Sequence, residues 1–147
     1  MRVRGDVDVD APLDAVWAAL ADIGSHVDWM ADAESITFTS PQHAGVGTTF
    51  ECRTRVGPFT TTDRMTVTDW SERERFGVAH TGIVIGRGVF ELAATGPHAT
   101  HLSWTEDLAF PKRFGGSVTA RLARPVLKRI WMGNLRRFAG QFTPSNL

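Results

Sequence analysis

Apolar positions along this chain recur at two periods, and the change from one to the other divides it into elements. Val3 to Val9 alternates apolar and polar (VRGDVDV), the period of a strand with one face covered. The period then lengthens. Leu13, Val16, Trp17 and Leu20 fall on one helical face, with Pro12 and Asp14 in the first turn, where proline and an acid suit a helix start. Ala21 to Ser25 interrupts that helix, and a second short one is expected from about Ser25 to Met30. Alternation resumes in Ser35–Thr39, Thr48–Val56, Phe59–Trp70, Arg75–His80, Ile83–Ala94 and Thr100–Phe110. Turns such as Gly57-Pro58 and Gly96-Pro97 separate them. Gly82, Gly86 and Gly88 are expected to mark bends or bulges.

The last stretch, Ser117 to Phe142, is the only long segment with helical spacing. Val118, Leu122, Val126, Leu127, Ile130, Trp131, Leu135, Phe138 and Phe142 share one broad face. Gly115 and Gly116 precede it, Ser117 is expected to cap it, Pro125 to bend it and Thr143-Pro144 to stop it. About 26 residues at a rise of about 1.5 Å make a rod of about 39 Å. A rod with so wide an apolar face needs a large concave surface. The architecture expected is α+β: a curved antiparallel sheet of about seven strands wrapped around a long C-terminal helix, with two short helices after strand 1. A sheet that curls around a helix leaves space between them, and an internal cavity is expected there.

The 147 residues are read as one domain, 1–147, with 42% hydrophobic and 22% charged residues, ordinary for a globular chain. No apolar run reaches the roughly 18 residues of a membrane span, and the N-terminus has no hydrophobic signal core. The single cysteine, Cys52, is read as a small core residue, and a cytoplasmic location is expected. Charge sharpens the picture. All sixteen Asp and Glu lie at or before Asp107, whereas the last forty residues carry eight Lys and Arg and no acid. The helix therefore has a basic outer face, either merely solvated or meeting an anionic membrane surface. Nucleic acid is not expected as a partner, because no base-reading motif accompanies the charge.

The stretch VDVDAPLDAVWAALADIGSHVDWM resembles the opening of the START-like (SRPBCC, helix-grip) superfamily, especially its polyketide cyclase/dehydratase-like branch. Pro12, Val16, Trp17, Leu20, Asp22 and Trp29 occupy the family's positions across the strand and two short helices. GVGTTFECRTRVG is similar to its next strand pair, and Arg124-Pro125 to the middle of its closing helix. The resemblance covers essentially the whole chain. It implies a helix-grip fold that binds a hydrophobic or amphipathic small molecule between sheet and helix. Some members are polyketide aromatase/cyclases and others bind lipids or hormones.

The residues themselves nominate two sets. Strand parity turns Asp63, His80 and Glu106 inward, where a carboxyl that loses hydration would have a raised pKa and could serve as acid or base. Such groups suit aldol cyclisation or dehydration of a poly-ketone. Against this, Asp63 or Glu106 would simply pair with an arginine such as Arg75 or Arg87 or lie near the sheet edge, and His80 would be a partly exposed strand end. The second set is the proposed ligand lining: Trp29, Phe50, Thr54, Met65, Phe76, Phe90, Trp104, Leu122, Val126 and Trp131. Its flat rings suit an aromatic or polycyclic ligand, although each could equally be core. Five scattered histidines and one cysteine give no metal-ligand spacing, and GIVIGRG is not a nucleotide loop, so neither metal nor cofactor is expected. Ser103 and Ser117 lack a nucleophile-elbow context. The expected function is binding of a hydrophobic or aromatic small molecule, polyketide- or lipid-like. The alternatives are a cyclase/dehydratase using an inward acid/base residue and a peripheral lipid transfer protein.

Overall fold

The computed structural model describes residues 1–82 and 85–142. Strand β1 (Arg2–Val9) leads through Pro12 into α1 (Leu13–Ala21) and a 3-10 turn over Ile23–Asp28. Strands β2 (Ala33–Phe38), β3 (Thr49–Val56), β4 (Phe59–Ser71), β5 (Arg75–Thr81), β6 (Ile85–Gly96) and β7 (Ala99–Ala109) follow, and then α2 (Gly116–Gly140). The expected Thr143-Pro144 stop and Ile83-Val84 lie outside the described residues.

The seven strands form one sheet in the order β1-β7-β6-β5-β4-β3-β2. Each neighbouring pair is antiparallel, so β2 to β7 is a meander and β1 closes against its far end. Period-2 alternation holds along the sheet: Phe50, Cys52, Val67, Phe76, Phe90, Leu102 and Trp104 are buried on the inner face. Helix α2 lies on β1 at a bare position. A Cβ on Gly5 would come within 2.7 Å of Met132 Sδ and 3.1 Å of Leu135 Cδ1, so any larger residue would have to displace these side chains of the helix.

Three local expectations change. Ser117 does not cap α2; the helix begins one residue earlier, after Gly115, whose φ of +92° is the left-handed conformation that favours glycine. Gly86 and Gly88 do not form a bulge, since β6 keeps regular register with β5 and β7 there, and its irregularity falls between Ala94 and Gly96. Nor is the broad apolar face of α2 buried along its length. The C-terminal half is seated, with Asn134, Leu135 and Phe138 fully buried. Toward the N-terminus the row that runs back from Asn134 in steps of four emerges into solvent: Ile130 is half-buried, Val126 53% exposed, Leu122 72% and Val118 66%. Pro125 sits inside the helix just before this row emerges.

Asn134 explains why one half is held. Its Oδ1 accepts the Ala31 N–H at 3.0 Å, and its Nδ2 donates to Asp32 Oδ1 at 2.9 Å. One turn on, Arg137 Nε donates to the Trp29 carbonyl at 3.0 Å. These bonds clamp the C-terminal half of α2 to the segment before β2. The equivalent positions nearer the N-terminus are Ile130 and Val126, which have no polar group to make such a bond.

Candidate functional site

The inner face changes character along the strands. At the end closed by α1 and the 3-10 turn, rings pack on rings. Phe76 stacks on Phe90 (centroids 5.8 Å, 15° between planes), Phe90 on Trp104 (4.8 Å, 29°), and Trp104 meets the edge of Trp131 (5.6 Å, 85°). Trp29 is buried among Phe90, Trp104 and Phe138 at 5.1–6.3 Å. His26 joins them: its Nε2 lies 2.7 Å from the Leu20 carbonyl, which can only accept, so Nε2 carries the hydrogen. Burial pulls this imidazole down to about 4, outweighing the raising effect of that bond.

Toward the other end the inward positions open and turn polar. On β3, Phe50 and Cys52 are buried while Thr54 and Val56 are half-buried. On β4, Val67 is buried, Met65, Asp63 and Thr61 are half-buried, and Phe59 at the hairpin tip is 77% exposed. Here the structure brings together the three residues that parity turned inward. His80 Nε2 lies 3.1 Å from Glu106 Oε2, with both side chains nearly buried. The other carboxylate oxygen, Oε1, accepts the Trp104 indole N–H at 3.0 Å. The arginine pairing expected for these acids is not what the structure shows: Glu106 is engaged by His80, and Arg75 by Asp69. Asp63 accepts a bond from the Thr61 hydroxyl at 3.3 Å. Burial raises its pKa, more than the nearby His80 charge and the Thr61 bond lower it.

Glycines make this meeting possible. His80 is on β5 and Glu106 on β7, with β6 between them. On β6 the residues opposite them are Gly86 and Gly88. With no side chains there, histidine and glutamate can meet over bare backbone. A Cβ on Gly88 would come within 2.7 Å of Glu106 Cδ, and one on Gly82 would strike the Asp63 carboxylate. The sequence signal was present, as glycines two apart on one strand face, but it has this meaning only once the neighbouring strands are known.

The expected lining residues therefore separate. Trp29, Phe50, Phe76, Phe90 and Trp104 are buried against one another. Thr54, Met65 and Trp131 are half-buried beside them, and Leu122 and Val126 stand exposed on α2. Two surface clefts lie elsewhere. One of about 320 Å³ is on the convex face, among Arg2, Arg4, Arg87 and Asp107. One of about 400 Å³ is in the crevice between β1 and α2, at Arg4, Asp6, Lys128 and Met132. Neither is lined by the residues expected to hold a ligand. Sequence reasoning missed Asn134 and His26, two buried polar side chains with no local motif. Among the described residues, no three His, Cys, Asp or Glu are placed to hold a metal ion, and no helix is long and apolar enough to cross a membrane.

Comparison with known proteins gives the same architecture. The family model described as polyketide cyclase / dehydrase and lipid transport matches residues 1–143. A protein of Thermus thermophilus has a similar structure at TM-score 0.80 and 14% identity, covering 97% of each chain. A START superfamily protein from Mycobacterium smegmatis superposes at 0.77 with 15% identity, over 97% of this chain and 99% of that one. The Zhui aromatase/cyclase from Streptomyces sp. R1128 superposes at 0.74 with 24% identity, over 96% and 92%. No curated protein sequence matches significantly. The seven-stranded curved sheet and long C-terminal helix are the START-like helix-grip fold, and the chain belongs to the polyketide cyclase/dehydrase and lipid-transport family.

Proposed function

We propose that the protein binds a hydrophobic, ring-containing small molecule, polyketide- or lipid-like, between the open end of the inner face and the N-terminal half of α2. The observation that carries this is the burial gradient along the inner face. The rings at the closed end are saturated with contacts, whereas Met65, Thr54 and Trp131 retain accessible surface next to the unseated apolar row of α2. A ligand there would stack against Trp131, cover Leu122 and Val126, and find its polar partners in Thr54, Thr61, Asp63, His80 and Glu106. Hydrophobic sites with a few convergent polar groups are the usual form of small-molecule pockets. The family description and the aromatase/cyclase likeness support the same ligand class. A cytoplasmic setting suits the buried free thiol of Cys52.

A second reading, that of a cyclase or dehydratase, rests on the His80–Glu106 bond and on Asp63, whose carboxyl holds its proton to higher pH than usual. In that chemistry the His80–Glu106 pair takes a proton from a carbon between two carbonyls. The enolate carbon then bonds to a ketone carbon as its C=O opens to an alkoxide, which takes the proton back from the pair and becomes a hydroxyl. For dehydration the pair removes the second proton from the attacking carbon while a protonated Asp63 gives its proton to the hydroxyl, which leaves as water with a C=C bond formed behind it. Native mass spectrometry against a denatured control tests binding: a mass lost on denaturation is a retained ligand. Glu106→Gln then separates the readings. The amide keeps the shape and an oxygen for the Trp104 N–H but loses the charge, so turnover of a poly-ketone should vanish while binding persists. A fully active variant would remove the enzyme reading, and a purified protein that neither retains nor takes up aromatic ligands would remove the binding one.

A further inference from the structure

We propose that the open end of the molecule is a docking surface for anionic lipid bilayers. Six large hydrophobic side chains stand exposed in the described structure, and five of them gather at one end. Phe59 is at the tip of the β3–β4 hairpin, and Ile85 is the first residue of β6. Val118, Leu122 and Val126 lie on α2, which starts where β7 leaves the sheet at the same end. In an antiparallel meander the β3–β4 and β5–β6 connections and the end of β7 all fall on one side. The sixth, Val46, lies in the β2–β3 connection at the opposite end.

Along α2 and the segment that leads into it the charge beside this patch has one sign, while the acids Asp107 and Glu34 at this end of the sheet are paired with Arg2 and with Arg53 and Arg55. Lys112 and Arg113 precede α2, Arg121 is one turn on from Val118, and Arg129 is one turn on from Val126 and two from Leu122. All four are exposed, and no acid occurs between Leu108 and Phe142. Apolar side chains rimmed by arginine and lysine fit an anionic bilayer, where rings and aliphatic groups enter the boundary and cations meet headgroups. A second copy of this chain fits poorly, because a twofold contact would bring two basic rims together. Nucleic acid would use the cations but leave Phe59 and Leu122 in water. Docking in this pose turns the open inner face toward the lipid. It shares Leu122 and Val126 with the ligand reading, and the two are told apart through Phe59 and Arg121, which belong to the docking surface alone.

The experiment is flotation of the full chain with phosphatidylcholine vesicles and with vesicles containing phosphatidylglycerol. Binding should require phosphatidylglycerol and weaken as salt rises. Phe59→Ser and Leu122→Ser change exposed residues and should leave the melting temperature in place, yet each should lower partitioning about tenfold. Arg121→Glu should lower it at least about fivefold. Hydrogen exchange on vesicles should slow at the β3–β4 tip and over the first turns of α2. Equal binding to both vesicle types, or none, overturns the proposal. So does binding unmoved by the two serine variants, which would mean charge alone acts. Self-association in sedimentation equilibrium that Leu122→Ser relieves would assign the patch to a second copy instead.

Discussion

Gly88→Ala is the sharpest probe of the geometry around Glu106. The added Cβ would stand within 2.7 Å of Glu106 Cδ, inside van der Waals contact, so the carboxylate must move. It cannot move freely, because it is nearly buried and holds both the Trp104 indole N–H at 3.0 Å and His80 at 3.1 Å. Overpacking of this kind costs about 1–3 kcal/mol. Stranding the Trp104 N–H adds about 1–3 kcal/mol. Removing a glycine from a strand returns about 0.5–1 kcal/mol. The net expectation is a loss of about 2–4 kcal/mol in urea unfolding, read from the midpoint at unchanged slope. In a Glu106→Ala background the obstacle is gone and the N–H is already stranded. There Gly88→Ala should be neutral or stabilising by up to about 1 kcal/mol. The double-mutant cycle should thus show coupling of about 2–5 kcal/mol between residues on adjacent strands. If Gly88→Ala costs the same in both backgrounds, to within about 0.5 kcal/mol, the carboxylate does not lie over Gly88 and the His80–Glu106 arrangement is wrong.

Two further outcomes follow from other parts of the structure. His26 is buried, and its folded pKa of about 4 lies below its ordinary 6.5, so the unfolded chain binds more protons between those values. Stability should therefore rise with pH across that window and fall by about 3 kcal/mol on acidification through it; urea titrations at several pH values that show no slope, or the same slope in His26→Phe, would refute the assignment. Trp131 meets Trp104 edge-on but is only half-buried, so Trp131→Ala should cost less than the roughly 3–5 kcal/mol of a full core truncation and should weaken aromatic ligand binding. A full-sized loss of stability with unchanged affinity would place Trp131 in the core instead of the site.

Much of this molecule is legible in local pattern. Two-residue alternation identified the strands, and the same parity turned Asp63, His80 and Glu106 inward, because side-chain direction in a strand depends only on position along it. Three- and four-residue spacing located both helices for the same reason. What the pattern could not say is which inward residues meet. Glu106 is twenty-six positions from His80, and Asn134 is one hundred and two from Asp32. Their bonds depend on strand order and register, set by the whole sheet. The glycines of β6 illustrate the limit: alone they suggested bends or bulges, and beside β5 and β7 they are the gap through which histidine reaches glutamate. Helix α2 shows it again. Its spacing defines an apolar face from end to end, but burial needs an opposing surface: the half clamped through Asn134 and Arg137 has one, and the row Val118, Leu122, Val126 does not. Sequence alone determined the order of the elements and the direction of side chains where a strand keeps its register. Tertiary structure decided that Trp70, past the irregularity in β4, packs on Trp17 and Phe76, which polar groups share the interior and which apolar ones face solvent, because all of these depend on contacts between residues far apart in the chain.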